Sequence, residues 1–254
     1  MLSVADFYRE LDALAPFSTA EKWDNVGLIV GSMHVPASRV LLALDVTDFV
    51  LEEAKNLGCG LIITHHPPIF KPISSLSAES MAYKLAAAGI ALISAHTNLD
   101  VANGGVNDAL VKKLGFANSR GLQPYSEDLW LGRICELEAP LSSKELVELV
   151  KRQLGVGTVR LADCGKPIRT VAVCGGSGFV VLQDAVNAGA QAIITGEGRH
   201  DELLLASELG ITLIDAGHHN TEAVVLEPLM NALSERLSGC EIFISRETEP
   251  ALYI

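Results

Sequence analysis

Two adjacent histidines, His65 and His66, follow the apolar run Leu61-Ile62-Ile63-Thr64 and precede Pro67 and Pro68. A run of that composition reads as a short buried strand, and two prolines stop it from continuing. Neighbouring side chains on an extended chain point opposite ways, but a turn at the strand terminus lets both imidazoles face one pocket. Far along the chain, Gly217-His218-His219-Asn220-Thr221-Glu222 offers a second donor group. On a helix, His218 and Glu222 are i,i+4 and share a face; His219 with Glu222 is i,i+3 and also possible. With Asp100, the residues His65, His66, His218 and Glu222 make five nitrogen and oxygen donors. One zinc is satisfied by four, whereas five suit two ions sharing a bridging carboxylate, each keeping a position for water. A bridged pair about 3.5–4 Å apart can hold a hydroxide at neutral pH. The expected cofactors are therefore two divalent metal ions per subunit, and a donor set without thiolate is compatible with Zn, Mn, Fe, Ni or Co. Asp24, His96, Glu197 and His200 are further candidates, to orient ligands or move protons.

The elements that must position these residues alternate. Residues 3–15 carry a helical stripe of Val4, Phe7, Leu11 and Leu14 behind a Ser3 cap. Trp23-Asp24-Asn25-Val26-Gly27-Leu28 reads as a turn into a strand at 27–30. Strands follow at 40–46, 60–64 and 90–95, separated by helices at 48–57 and about 79–88 that end at Gly58 and Gly89. That alternation predicts a parallel sheet with right-handed crossovers. Residues 118–125, polar and glycine-containing, read as a seam between domains. Beyond it lie a strand at 130–138 and a helix from Ser142 or Ser143 to about 154, with Glu145 completing a capping box. A helix is expected over 219–230 and a strand over 241–245.

The second half repeats the first. Displaced by 131 residues, Val171 falls on Val40, Gly189 on Gly58 and Ile193-Ile194-Thr195 on Ile62-Ile63-Thr64; a displacement of 121 then places Gly210-Ile211 on Gly89-Ile90. The expected fold is α/β, two similar, internally duplicated domains with mainly parallel sheets and a metal cleft between them. The first domain spans residues 1–124 and the second 125–224; the segment from about 225 to 254 can pack with the first domain, and its strand can pair with either sheet. In open α/β sheets ligands gather beyond the carboxyl ends of strands, and every histidine except His34 falls at or just past a predicted strand end. Cys174-Gly175-Gly176-Ser177-Gly178 sits at one such end. It lacks both the full GxGxxG pattern and a Walker lysine, so it reads as a closely packed turn.

Composition narrows the function. With 49% hydrophobic and 20% charged residues among 254, the chain is that of a well-packed globular protein. A formal charge of −12 argues against a basic nucleic-acid groove. Five scattered cysteines without a Cys-x-x-Cys pair fit a reducing compartment. The start of the chain has no signal-peptide pattern and no apolar run is long enough for a membrane span. The expectation is a cytoplasmic protein that engages neither nucleic acid nor membrane.

The motifs Trp23-Asp24-Asn25-Val26-Gly27-Leu28, Thr64-His65-His66-Pro67 and Gly217-His218-His219-Asn220-Thr221-Glu222 together resemble the dinuclear-metal hexameric proteins known as GTP cyclohydrolase I type 2-like, related to the Ngg-interacting factors. Leu99-Asp100 and Ile194-Thr195-Gly196-Glu197 support the match. The resemblance implies His65, His66, Asp100, His218 and Glu222 as metal ligands, Glu222 touching both ions, in a toroidal homohexamer. Many relatives carry an inserted domain between the halves, for which residues 118–130 are too short. Relatives often have Asp where this chain has Glu197. The implied activity is a metal-dependent hydrolase acting on a small molecule, specifically hydrolytic opening of the guanine imidazole ring of GTP with release of formate, with His96 or Glu197 protonating the ring nitrogen. Phosphoester hydrolysis is the nearest enzymatic alternative, since paired metals serve it equally well. A non-catalytic metal-carrying ring, acting as carrier or scaffold, is the alternative of a different class.

Overall fold

A computed structural model describes residues 2–251; Met1 and residues 252–254, which end the expected first domain and the C-terminal segment, lie outside them. The chain is mixed α/β with two sheets and interleaved helices, and it divides into two compact units. The first takes the residues up to Ala102 and then Leu226–Thr248; the second takes Asn103–Val225 and the described residues from Glu249 onward.

In chain order the first unit contains α1 (Val4–Leu14), β1 (Gly27–Val30), β2 (Arg39–Ala43), α2 (Asp48–Leu57), β3 (Leu61–Thr64), α3 (Met81–Ala88), β4 (Ala91–Ser94) and the short α4 (Thr97–Val101). The second contains α5 (Val106–Leu114), β5 (Arg120–Pro124), β6 (Trp130–Leu141), α6 (Ser143–Leu154), β7 (Arg160–Ala162), β8 (Ile168–Cys174), α7 (Leu182–Asn187), β9 (Ala192–Thr195), α8 (His200–Leu209), β10 (Thr212–Asp215) and the short α9 (His218–Glu222). The chain then returns to the first unit as α10 (Leu226–Arg236) and β11 (Glu241–Ile244).

The first sheet has the order β1-β4-β3-β2-β11, with β4, β3, β2 and β11 parallel and β1 antiparallel at the edge. The C-terminal strand thus pairs with the first sheet, Ile242 opposite Val40. Apolar and β-branched strands with both faces covered are what a parallel sheet needs: β3 and β4 are buried throughout, and Leu41, Ile62 and Leu92 pack under Val50, Leu51 and Leu85 of α2 and α3. Gly58 and Gly89 end those helices in the left-handed conformation, each at φ 68°.

The second sheet runs β5-β6-β8-β9-β10-β7. Its β8-β9-β10 core is parallel, while β5, β6 and β7 are antiparallel additions. The duplication is visible in register. Val40 pairs with Leu61 and Val171 with Ala192; Leu61 pairs with Ala91 and Ala192 with Thr212, so the two three-strand cores align residue for residue. The short helices α4 and α9 occupy equivalent places after β4 and β10.

Two expectations change. Residues 118–125 are not a seam: Arg120–Pro124 is β5, an edge strand hairpinned to β6, where Gly121 leaves room for the Trp130 ring that a Cβ would meet at 2.1 Å. The change of unit therefore falls after Ala102, not at 124, because α5 buries Leu110, Val111 and Leu114 in the core of the second sheet. The helix expected over 219–230 is interrupted by a 3-10 turn, Ala223–Val225, where the chain passes from one unit to the other.

The return segment is pinned by Glu53 of α2. Its carboxylate accepts from the Ser245 hydroxyl (2.7 Å), the Arg246 backbone N–H (3.1 Å) and Arg246 Nε (2.8 Å). Burial pushes the Glu53 carboxyl up, but those hydrogen bonds outweigh it and hold the group below its ordinary value. Glu53→Gln is expected to cost about 1–3 kcal/mol in urea unfolding at neutral pH. A depressed folded value means the contribution is present above the ordinary glutamate value of 4.5 and fades as pH falls below it. The parent should therefore lose its advantage over Glu53→Gln on acidification, and an advantage constant across that range would contradict this role.

Candidate metal centre

In the first unit the carboxyl ends of three parallel strands carry the polar residues. His65 and His66 directly extend β3: the His65 N–H donates to the Ala43 carbonyl (3.3 Å) and that of His66 to Leu44 (2.9 Å). Thr64 holds the turn, its hydroxyl donating to the His66 carbonyl at 2.8 Å and lying 2.9 Å from Ser94 Oγ. His96 follows β4. The three imidazoles face one another, with centroids 4.9 Å apart for His65 and His66, 5.1 Å for His65 and His96, and 5.4 Å for His66 and His96. Each of the three can offer a ligand atom within 4.8 Å of the other two.

What lies behind each ring decides which nitrogen is offered. His65 Nδ1 meets the Ala95 carbonyl at 2.8 Å, His66 Nδ1 meets Asp45 at 3.0 Å, and His96 Nδ1 meets Asp24 at 3.0 Å. Carbonyl and carboxylate oxygens only accept, so each Nδ1 carries a proton, and in the neutral ring Nε2 then carries the lone pair, the tautomer of a histidine ligating through Nε2. Asp100, on α4, places a carboxylate oxygen 3.5 Å from His65 Nε2. A lone pair and an anionic oxygen at that separation repel unless a cation, a proton or a metal ion, lies between them. The donor set thus fits a divalent metal.

Asp24 reaches this group because β1 is antiparallel. Gly27 pairs with Ser94, so the residues before β1 lie beside the carboxyl end of β4. The Asp24 side chain is fully buried and also accepts from the Thr97 N–H (3.1 Å) and hydroxyl (2.6 Å). Burial alone would raise its carboxyl, but the hydrogen bonds from His96 and Thr97 bring it well below the usual range.

The second unit carries an equivalent pair on α9. His218 Nε2 lies 3.0 Å from Glu222, and its Nδ1 lies 2.9 Å from Glu197, just past the end of β9. His218 and Glu222, i,i+4 on α9, are thus in contact. The bond from His218 holds the Glu197 carboxyl below its ordinary value against partial burial. The glycine loop after β8 packs under this pair: a Cβ on Gly176, at φ +57°, would stand 1.9 Å from Glu222 Oε1. Thr221 clamps the loop, accepting from the Gly176 N–H at 3.1 Å. His200 heads α8 as an exposed residue and is not gathered with these groups.

Asp45 escaped the sequence reading; Gly176 was expected only as part of a closely packed turn, and Thr221 only as a motif residue. Asp45 stands two residues past the end of β2, the position His66 occupies past β3. Gly176 and Thr221 act on the shape of the second group, and no donor spacing marks such residues.

A profile of the family described as Duf34/NIF3 (NGG1p interacting factor 3) matches residues 2–250. The chain belongs to this family. A relative named GTP cyclohydrolase 1 type 2 homolog, from Clostridium perfringens, is 36% identical over 258 residues, 98% of each chain. NGG1-interacting factor 3 of Saccharomyces cerevisiae is 33% identical over 267 residues, 94% of this chain and 92% of the yeast protein. The crystal structure of a Staphylococcus aureus hypothetical protein superposes with a TM-score of 0.92 at 32% identity, covering 100% of this chain and 99% of that one. Among the described residues no helix is long and apolar enough to cross a membrane. This chain carries its candidate donors on a duplicated α/β framework.

Gly176→Ala is expected to weaken divalent-metal binding about ten-fold or more in calorimetric titration, because the added methyl displaces Glu222. Gly189→Ala is the control: it has the same left-handed strain, at φ +80°, but open space around its Cβ. Equal metal affinity in the two variants would contradict the packing role of the glycine loop.

Proposed function

We propose that this Duf34/NIF3 protein is a metal-dependent hydrolase of a small molecule, a nucleotide such as GTP, with two divalent ions per subunit in one dinuclear centre. His65, His66, Asp100, His218 and Glu222 would be the residues that hold them. The observation that carries the reading is the oxygen acceptor behind Nδ1 of each of these three imidazoles, which in the neutral ring leaves Nε2 with the lone pair a ligand needs. The resemblance to GTP cyclohydrolase I type 2-like proteins adds a homohexameric ring as the assembly.

Divalent ions held there would supply a nucleophile from water at neutral pH and polarise the bond under attack. The remaining work falls to the chain. Asp45 and Glu197 orient His66 and His218 through their Nδ1 protons. His96, its Nδ1 proton fixed by Asp24, keeps Nε2 for taking up or giving a proton, and is the group placed to protonate a ring nitrogen as an imidazole C–N bond opens. Glu197, engaged with His218, serves as a positioning residue.

Protein purified without chelators and loaded with metal is expected to release formate from GTP, and the His65→Ala, His66→Ala double variant to release none above background. Removal of metal by a chelator should abolish release and re-addition restore it. Formate release equal in parent and double variant would overturn the proposal; metal-dependent cleavage of a generic phosphoester with no turnover of GTP would replace ring opening by phosphoester hydrolysis.

A further inference from the structure

Two large aromatic side chains lie in the open against the candidate centre. Trp23 is 60% exposed and Phe70 48% exposed. Scattered apolar residues on a surface are ordinary, but these two are not scattered. Both rings lie against the same imidazole: Trp23 is 6.0 Å from His96 at an interplanar angle of 75°, and Phe70 is 5.7 Å away at 78°.

They are also held there. Trp23 sits in a turn closed by the Asp24 N–H donating to the Glu21 carbonyl at 2.9 Å. The turn is tied to α4 by the Glu21 N–H donating to Thr97 Oγ1 (3.0 Å) and by the Asp24 bonds to His96 and Thr97. Asn25 Nδ2 donates to the carbonyl of Ile69 at 2.7 Å, which anchors the loop carrying Phe70 to the same turn. Within Trp23-Asp24-Asn25, Asp24 thus positions an imidazole and Asn25 positions the second aromatic ring. Holding an indole in water on so well-braced a turn contributes nothing to the core.

We infer that Trp23 and Phe70 form a stacking subsite for a flat heteroaromatic ring of the substrate. A ring lying on the face of either side chain meets His96 at the same steep angle, next to the imidazoles of His65 and His66. Stacking of a base on an aromatic side chain is tolerant of base identity and strong enough to fix orientation. This deepens the hydrolase reading and rests on it for the word substrate, while the ring-binding claim has its own readout.

Trp23 and Trp130 are the two tryptophans of the chain, so Trp130→Phe leaves Trp23 as the sole indole reporter. Titrating metal-loaded Trp130→Phe protein with guanosine is expected to quench its fluorescence saturably, and ribose 5-phosphate to leave it unchanged. Adding Phe70→Ala should raise the guanosine dissociation constant about ten-fold, with Phe70→Tyr restoring it. Absence of saturable quenching, or equal response to the two ligands, would overturn the subsite. So would a Trp23 indole shielded from acrylamide in ligand-free protein, with Trp23→Ala altering the assembly in light scattering, because the surface would then be covered by another copy. Quenching without GTP turnover would remove the hydrolase reading alone; turnover with an unaltered KM in Trp23→Ala would remove the subsite alone.

Discussion

An imidazole can give a lone pair to a cation only from a nitrogen that carries no proton, and in this protein that choice is made by what lies behind the ring. Ala95 O, Asp45, Asp24 and Glu197 each hold one Nδ1, for His65, His66, His96 and His218 respectively. Four different sources of oxygen, a backbone carbonyl and three carboxylates, perform one operation. They fix ring orientation and leave Nε2 as the acceptor. Remove those oxygens and the histidines remain at their strand ends without a defined direction.

Sheet topology is what brings the oxygens into place. Parallel strands β2, β3 and β4 end on the same side, so Asp45, His65, His66 and His96 project from one edge. The antiparallel β1 begins where β4 ends, so Asp24 enters from a segment far away in sequence. The same frame, repeated, sets Glu197 after β9 and His218 after β10. The two halves diverge in which positions carry donors. Helix α4 contributes Asp100 whereas α9 contributes His218 and Glu222, and the glycine loop after β8 has become packing for the latter pair.

Much of this was legible in the chain itself. Leu61–Thr64 and Ala192–Thr195 announce buried strands by composition, their ungapped alignment reveals the repeat, and the histidine doublet stands out because two prolines force it to be a terminus. What was not legible depends on long-range pairing. Residues 118–125 look like a linker because Gly121 and Pro124 disfavour a strand in isolation, yet hairpin pairing with Trp130–Leu141 overrides that preference. The helix expected over 219–230 has the right periodicity, and only the passage of the chain between units breaks it. Asp45 was hidden because a lone aspartate after a strand is indistinguishable from a turn former until its partner is known.

Which nitrogen of each imidazole faces the ions is a matter of single atoms, so diffraction tests it most directly. A crystal of the metal-loaded protein, with data collected at the absorption edge of the bound metal, should show two ions per subunit. They should be ligated by Nε2 of His65, His66 and His218 with Asp100 and Glu222, every Nδ1 keeping its oxygen partner. Ligation through Nδ1, or ions that leave any of these five donors unused, would contradict it.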